Sequence, residues 1–387
     1  MGQQEFTWFL TIFHHEFRKN NGVAFETLMV LAVANLFGLY NPKQLADFLE
    51  VPHQQFDTVL KDWSVYQVKK MLLRFMVKQA AEKLQPVLSK SAATRSRAGA
   101  TLSIDNSVMD RFGRLLRCTW SWYSGRYHKV IRGQDLLGVV LTIQHIALPL
   151  HLLFCPKPGR YHTTKADLLI FMLSQLKTEF LREGIDITQL PLTMDSAYVA
   201  QELRERLHEL GFVDIIIAGK GNYVFTIDKQ KWDAATWKKV LMLDEPKWGI
   251  DVPSCRIRGL SPTFGSLILF FFRKRTTRSY YLMNFAQRAL RGAEIWHIWK
   301  QHHVIECFWK IMKSIFQLRS MPLQGDGLYT ALLIKVMAYL LALRLQAQGV
   351  FSKLTLTEIM RQLRREADLR DFLATHFHHP FAITKTW

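Results

Sequence analysis

Two short apolar runs in this chain end on aspartate: Leu102-Ser103-Ile104-Asp105 and Leu190-Pro191-Leu192-Thr193-Met194-Asp195. A buried strand that stops on a carboxylate delivers that group to the edge of a sheet, so each run predicts a strand with its acid at the end. A third acid, Glu306, lies instead in a long stretch of helical spacing, Trp299-x2-His302-x3-Glu306-x6-Lys313. At ~100° per residue, these four positions fall within roughly 60° of arc and share one helix face. Each acid alone has a plainer reading. Asp after a strand is a common turn or N-cap residue, and Glu is a good helix former on a solvated face.

Taken together, two strand-borne Asp and one helix-borne Glu can hold a pair of divalent cations ~3.5–4 Å apart, the arrangement used for in-line attack on a phosphodiester. The apolar runs before both Asp and the aligned Lys313 favour that reading, since a motif is supported by its context. The set resembles the DDE-class insertion-sequence transposases whose last acid lies in Tyr-x2-Arg-x3-Glu-x6-Lys. Ile305, Glu306 and Lys313 match that pattern, while Trp299, His302 and His303 stand where the group has Tyr, Arg and Trp. Asp105-Asn106-Ser107 is similar to its first-Asp segment, and Asp195-Ser196-Ala197-Tyr198 to its D-x-x-Y segment. The resemblance runs from about residue 100 to about 345.

It implies an α/β fold: a ribonuclease-H-like catalytic core with a β-rich insertion, preceded by an all-helical N-terminal domain. It implies Mg²⁺ (or Mn²⁺) held by Asp105, Asp195 and Glu306, with phosphate positioning by Lys313, Lys310, Trp299 and His302. The implied activity is metal-dependent cleavage at transposon ends and strand transfer into target DNA, by two protomers that pair the ends. A structure-selective nuclease and a non-cutting DNA-binding descendant are the alternatives. An Arg offers a permanent bidentate fork to a phosphate, whereas His302 is cationic only if its pKa is held up.

Lys+Arg total 51 against Asp+Glu 32, a net +19, which points to a polyanionic partner, double-stranded DNA first. No lone basic amphipathic helix supports a membrane surface. The apolar run Leu136–Phe154 is interrupted by Gln144, His145, Pro149 and His151, so it predicts two buried strands and a turn rather than a span. Cys118, Cys155, Cys255 and Cys307 are scattered, which disfavours a zinc site or disulfide framework and suits a reducing interior. His376, His378 and His379 lack the partners of a zinc set. Met1-Gly2-Gln3-Gln4-Glu5 has no charged run before an apolar core, so no signal peptide is expected. A cytoplasmic protein, nucleoid-associated if bacterial, is the expectation.

Along the chain, 1–88 reads as a helical DNA-binding domain. Asn41-Pro42 opens one helix, Val51-Pro52 breaks it, and His53–Asp62 predicts a second, giving either a helix-turn-helix or an ordinary αα-hairpin. Lys69, Lys70, Arg74, Lys78 and Lys83 then recur at helical spacing, as a phosphate grip or a solvated face. Residues 89–100 read as a basic, small-residue linker. The first part of the core spans 101–219, with a polar stretch rich in Trp, Tyr, Arg and Gly at Thr119–Arg132. Strands are expected near 136–144, 147–154 and 214–218, and helices near 165–183 and 197–210. Residues 220–285 predict the β-rich insertion, with strands at 265–272 and 279–284. There Trp232, Trp237 or Trp248 could stack on a base or fill a small core, and Arg273, Lys274, Arg275 and Arg278 form a dense phosphate-contact candidate. Helices carrying Glu306 occupy 286–346, and 347–387 reads as a helical tail.

Overall fold

The computed structural model describes residues 22–54, 56, 64–89, 100–111, 116–124, 127–157, 164–241, 254–273, 279–285, 290–321, 327–347, 353–366, 369 and 373. The elements in chain order are helices α1 (Gly22–Leu36), α2 (Pro42–Leu49) and α3 (Val65–Leu88), then strands β1 (Thr101–Met109), β2 (Trp120–Ser124), β3 (Lys129–Ile143) and β4 (Ile146–Phe154). Helix α4 (Lys165–Arg182), β5 (Leu192–Met194), α5 (Gln201–Glu209) and β6 (Ile215–Ala218) follow. Next come β7 (Val224–Ile227), β8 (Gln230–Asp233), α6 (Ala234–Leu241), β9 (Ser254–Ser261), β10 (Gly265–Arg273) and β11 (Ser279–Asn284). Helices α7 (Gly292–Ser314), α8 (Leu328–Ala347) and α9 (Leu356–Glu366) close the order. The chain is a mixed α/β protein divided into two compact units.

One unit comprises the described residues of 76–108 and 135–308. Its mixed sheet runs in the order β4-β3-β1-β5-β6-β11-β10-β9-β7-β8. β1 pairs parallel with β5 and β5 parallel with β6, whereas β3–β4, β6–β11, β11–β10 and β10–β9 are antiparallel. The expected strands at 136–144 and 147–154 are the apolar parts of β3 and β4, joined by Gln144 and His145 at positive φ. Pro149 is tolerated because β4 is the edge strand, where a missing N–H breaks no second ladder; it pairs with Val140 beside a bulge. A capping box of Thr164 with Asp167 starts α4, whose Leu169, Met172, Leu173, Leu176 and Phe180 are buried at helical spacing.

β11 returns to pair with β6, so the strands of the 220–285 region continue the sheet. Gly219 is indispensable at that junction. The Tyr281 ring lies on its backbone, and a Cβ there would stand 2.1 Å from Tyr281 Cζ. Trp237 is buried and donates its indole N–H to the Phe225 carbonyl, with Trp232 tilted against it at 4.6 Å. Both therefore help fill a local core. Trp248 lies outside the described residues.

The other unit comprises the described residues of 1–75, 109–134 and 309–387. α1 packs against α8, and α9 against both. The expected start at Asn41-Pro42 is met: Asn41 accepts from Lys43 N at 2.9 Å with Pro42 in the first turn, and Glu50 ends α2 at φ 59. Of the second expected helix, 53–62, only 53, 54 and 56 are described. α8 is the one helix among the described residues long and apolar enough to cross a membrane, and it is almost wholly buried in protein. Within it Lys335 is also buried; its ammonium donates to the Phe316 carbonyl at 2.6 Å and lies over the Tyr40 ring. β2 pairs with the first residues of β3 as a hairpin that the expected strands did not include.

Candidate metal centre

Parallel pairing places the two Asp side by side. Leu102, Ser103 and Ile104 of β1 align with Leu192, Thr193 and Met194 of β5, so Asp105 and Asp195 are the next residues on adjacent strands. Strands are apolar up to that point because both faces of a parallel sheet are covered: Leu102, Ile104, Leu192 and Met194 are fully buried. Two residues before each Asp stands a hydroxyl, and Ser103 Oγ and Thr193 Oγ1 share a hydrogen bond at 3.0 Å. The same Thr193 Oγ1 reaches His302 Nδ1 on α7 at 3.1 Å. Ser103, Thr193 and His302 thus form a buried polar chain across two strands and a helix.

That chain sets where Glu306 goes. The buried run of β3 starts at Gly133, passes Asn106 at Asp135, and ends at the Gln144-His145 turn. Thr142 Oγ1 donates to the Gln301 carbonyl at 3.4 Å, and the pKa of His297 is lowered by burial first, then by the nearby charges of His145 and Lys300. Helix α7 therefore advances from the turn toward the Asn106 end, in the sense of β1 and β5. Two residues along a strand cover about 6.6 Å and four along a helix about 6 Å. The steps Ser103 to Asp105, Thr193 to Asp195 and His302 to Glu306 are matched in length, so each acid lies about one such step along its own element from the hydrogen-bonded residue.

The acids differ from their scaffold in accessibility: Asp105 is half-buried, Asp195 and Glu306 are exposed. Asp195 also meets its plainer reading, since its Oδ1 accepts from Ser196 N at 2.6 Å and caps the turn Ser196–Tyr198. Asp105 Oδ1 accepts from Asn106 N at 2.8 Å. Glu306 Oε2 lies 2.9 Å from His303 Nδ1. Among the described residues, no three His, Cys, Asp or Glu side chains stand together as a ready cage for one ion. Mg²⁺ does not demand one. It binds through one or two carboxylates and keeps water or phosphate oxygens for the rest. Hard, accessible oxygens on a rigid, buried frame fit such an ion.

A second polar network supports the β1 end. Asp135 is wholly buried, pairs with Lys165 Nζ at 2.5 Å and accepts from Asn106 Nδ2 at 2.8 Å. Tyr198 donates its hydroxyl to Asn106 Oδ1 at 3.1 Å. Burial first, then the negative charges of Asp105, Asp135 and Asp195, hold the Tyr198 phenol protonated. Asp135 and Lys165 were not singled out from sequence. The only signal was a carboxylate immediately before the apolar run Leu136–Ile143.

His302 is placed differently from a phosphate ligand. It is 6% exposed, its ring stacks on Trp299 at 4.6 Å, and burial pushes its pKa down to about 4. A neutral, inward imidazole positions a helix; it does not offer charge to a backbone. Trp299 is half-buried under that ring. Lys310 is exposed and Lys313 half-buried on later turns of α7. Arg273 closes β10, while Lys274, Arg275 and Arg278 lie outside the described residues, as do the 90–99 stretch and His376, His378 and His379.

No family model matches the chain, and no curated protein is significantly similar to it.

Proposed function

We propose that this protein is a DNA transposase of the DDE class, which cuts the ends of a mobile element and joins them to target DNA. The observation that carries the reading is the alignment of Asp105 and Asp195 on neighbouring parallel strands, and the hydrogen bond of His302, one helical turn before Glu306, to Thr193 supports it. The strand order β4-β3-β1-β5-β6, antiparallel at β3–β4 and parallel through β1, β5 and β6, fits a ribonuclease-H-like core. The β-rich region between Asp195 and Glu306 fits the insertion expected of that class. The net charge of +19 suits a duplex DNA partner, and the resemblance adds a second protomer at the paired ends.

Asp105, Asp195 and Glu306 would hold Mg²⁺ or Mn²⁺, which when bound activates a water or a terminal 3′-hydroxyl and stabilises the leaving oxygen. The chain's own part is preorganisation. Ser103, Thr193 and His302 fix the spacing of three elements, while Asp135, Asn106 and Tyr198 fix the β1 end. Lys310 and Lys313 are cations for a phosphate on the helix that carries Glu306. With an ion supplying the base function, no Ser/His or Cys/His dyad is required.

The inward, neutral His302 favours keeping a second reading, a DNA-binding descendant that no longer cuts. Strand nicking of a duplex carrying the element's own ends, with Mg²⁺, separates the two. Wild type should nick. Glu306→Gln, which keeps size and helix preference, should melt like wild type, bind the duplex, and lose nicking by about a thousandfold or more, as should Asp105→Asn and Asp195→Asn. Undiminished nicking by folded Glu306→Gln would remove the metal assignment. An inert wild type on authentic ends would favour the descendant.

A further inference from the structure

From Arg111 to Gln134 the sequence carries six Lys or Arg and no Asp or Glu, together with Trp120, Trp122, Tyr123 and Tyr127. The structure folds the described part of this stretch into the β2–β3 hairpin, with five register pairs from Trp120↔Gly133 to Ser124↔Lys129. Residues opposite each other in an antiparallel pair share a face. Ser121 with Arg132 and Tyr123 with Val130 therefore make one face, and all four are exposed, Tyr123 at 62% and Val130 at 64%. The other face carries Trp122 and Ser124, both buried, which anchor the ribbon. Tyr127, His128 and Lys129 are exposed at the tip.

The base of the ribbon is pinned. Gly133 lies so close to Met109 that a Cβ would meet its carbonyl at 2.1 Å, and Gln134 Nε2 donates to the Arg117 carbonyl at 2.7 Å. Asp110 accepts from the Tyr127 hydroxyl at 2.7 Å and faces Arg319 at 3.6 Å, so its charge is already answered. An exposed aromatic and a β-branched apolar side chain thus stand together beside an exposed Arg132.

We propose that the β2–β3 hairpin is a duplex-DNA contact surface, with Arg132 on the exposed face and Lys129 at the tip on phosphates, and Tyr123 and Ser121 against the groove wall. Five pairs at about 3.4 Å make a ribbon about 17 Å long, and a major groove about 12 Å wide admits two strands. Hydroxyl and guanidinium donors are the groups that dock on a DNA backbone. The inference rests on DNA being the partner, but not on the metal centre.

The test is a fluorescence-anisotropy titration of the full chain against a labelled 30-base-pair duplex of arbitrary sequence over a range of salt. Lys129→Ala with Arg132→Ala should weaken binding about tenfold and lower the slope of log affinity against log salt by about 1.8, at 0.9 per lost phosphate contact. Tyr123→Ala should weaken binding without changing the slope. The charge-keeping exchange of Lys129→Arg with Arg132→Lys should bind like wild type, which separates charge from folding damage. Wild-type affinity and slope in the double alanine variant would overturn the hairpin surface alone. A wild type that fails to bind DNA would overturn both the surface and the DNA partner. If that double variant lost affinity for phosphatidylserine vesicles or single-stranded RNA but not for the duplex, the surface would belong to that partner and the proposal would fall.

Discussion

At pH 7 His302 is neutral, because burial beside Thr193 pushes its pKa down to about 4 even though the charge of Asp195 works the other way. An unfolded chain would bind that proton near pH 6.5. The unfolded state thus holds more protons than the folded one across this window, and stability falls as pH drops from about 6.5 to about 4. The full loss is on the order of 3 kcal/mol. Thermal melts at pH 7 and pH 5 should show a decline in wild type that His302→Gln flattens. His302→Arg should lower stability at pH 7 by about 3 kcal/mol, since it buries a charge in a space already filled. A wild-type melt for His302→Arg would mean the ring is not inward. Sequence alone pointed to the opposite outcome, a retained or improved phosphate grip. Helical spacing correctly grouped Trp299, His302 and Glu306 on one arc, but it cannot say how far inward each end of that arc turns. Ile295, Ile298, Ile305, Phe308 and Met312 are all buried around them. Lys335 belongs to the same class of unreadable residue. Burial, aided by the charge of Arg111, lowers its pKa to about 7, and nothing in an apolar run announces which partner a buried ammonium will find.

Elements with strong local patterns were legible. The runs at β1, β3, β4, β5, β10 and β11 are apolar or β-branched, and α4 has a capping box and a clean buried stripe. What escaped was built from weak local signal: β7 and β8 are only four residues each, β8 is largely polar, and the β2–β3 hairpin mixes Trp, Tyr, Arg and Ser. Their pairing is decided by neighbours far along the chain. The β6–β11 junction shows how narrow such a condition can be. Gly219→Ala should disrupt it, because the Tyr281 ring is fixed by Phe225 and Phe271 on its flanks and by its hydroxyl on the Lys220 carbonyl. A destabilisation of about 3 kcal/mol or more is expected, with soluble yield and urea midpoint as the measures. Tyr281→Leu in the Gly219→Ala background should recover part of it. A Gly219→Ala midpoint equal to wild type would mean that β6 and β11 do not meet in this register.

For the molecule as a whole, the excess of Lys and Arg predicts how it meets its partner. Affinity for any duplex should fall steeply between 50 and 200 mM salt, by about a thousandfold if five or six phosphates are contacted. A salt-independent affinity would leave the net charge of +19 without a partner of the expected kind. Charge excess was fully legible, being a property of composition. Its layout was not, since Lys69, which reads as part of a phosphate grip, instead lies over the Tyr329 ring at 4.3 Å. The polar chain beneath the acids has a consequence in time. Ser103 and Thr193 are 90 positions apart, and Thr193 and His302 are 109 apart. Closing contacts of that span costs loop entropy before it returns any stability, which makes them late and slow events in folding. A nascent chain still short of α7 lacks the helix that carries Glu306, so the trio exists only once synthesis has passed that helix. Refolding should accordingly show secondary structure forming well before the environment of Trp299 settles against His302.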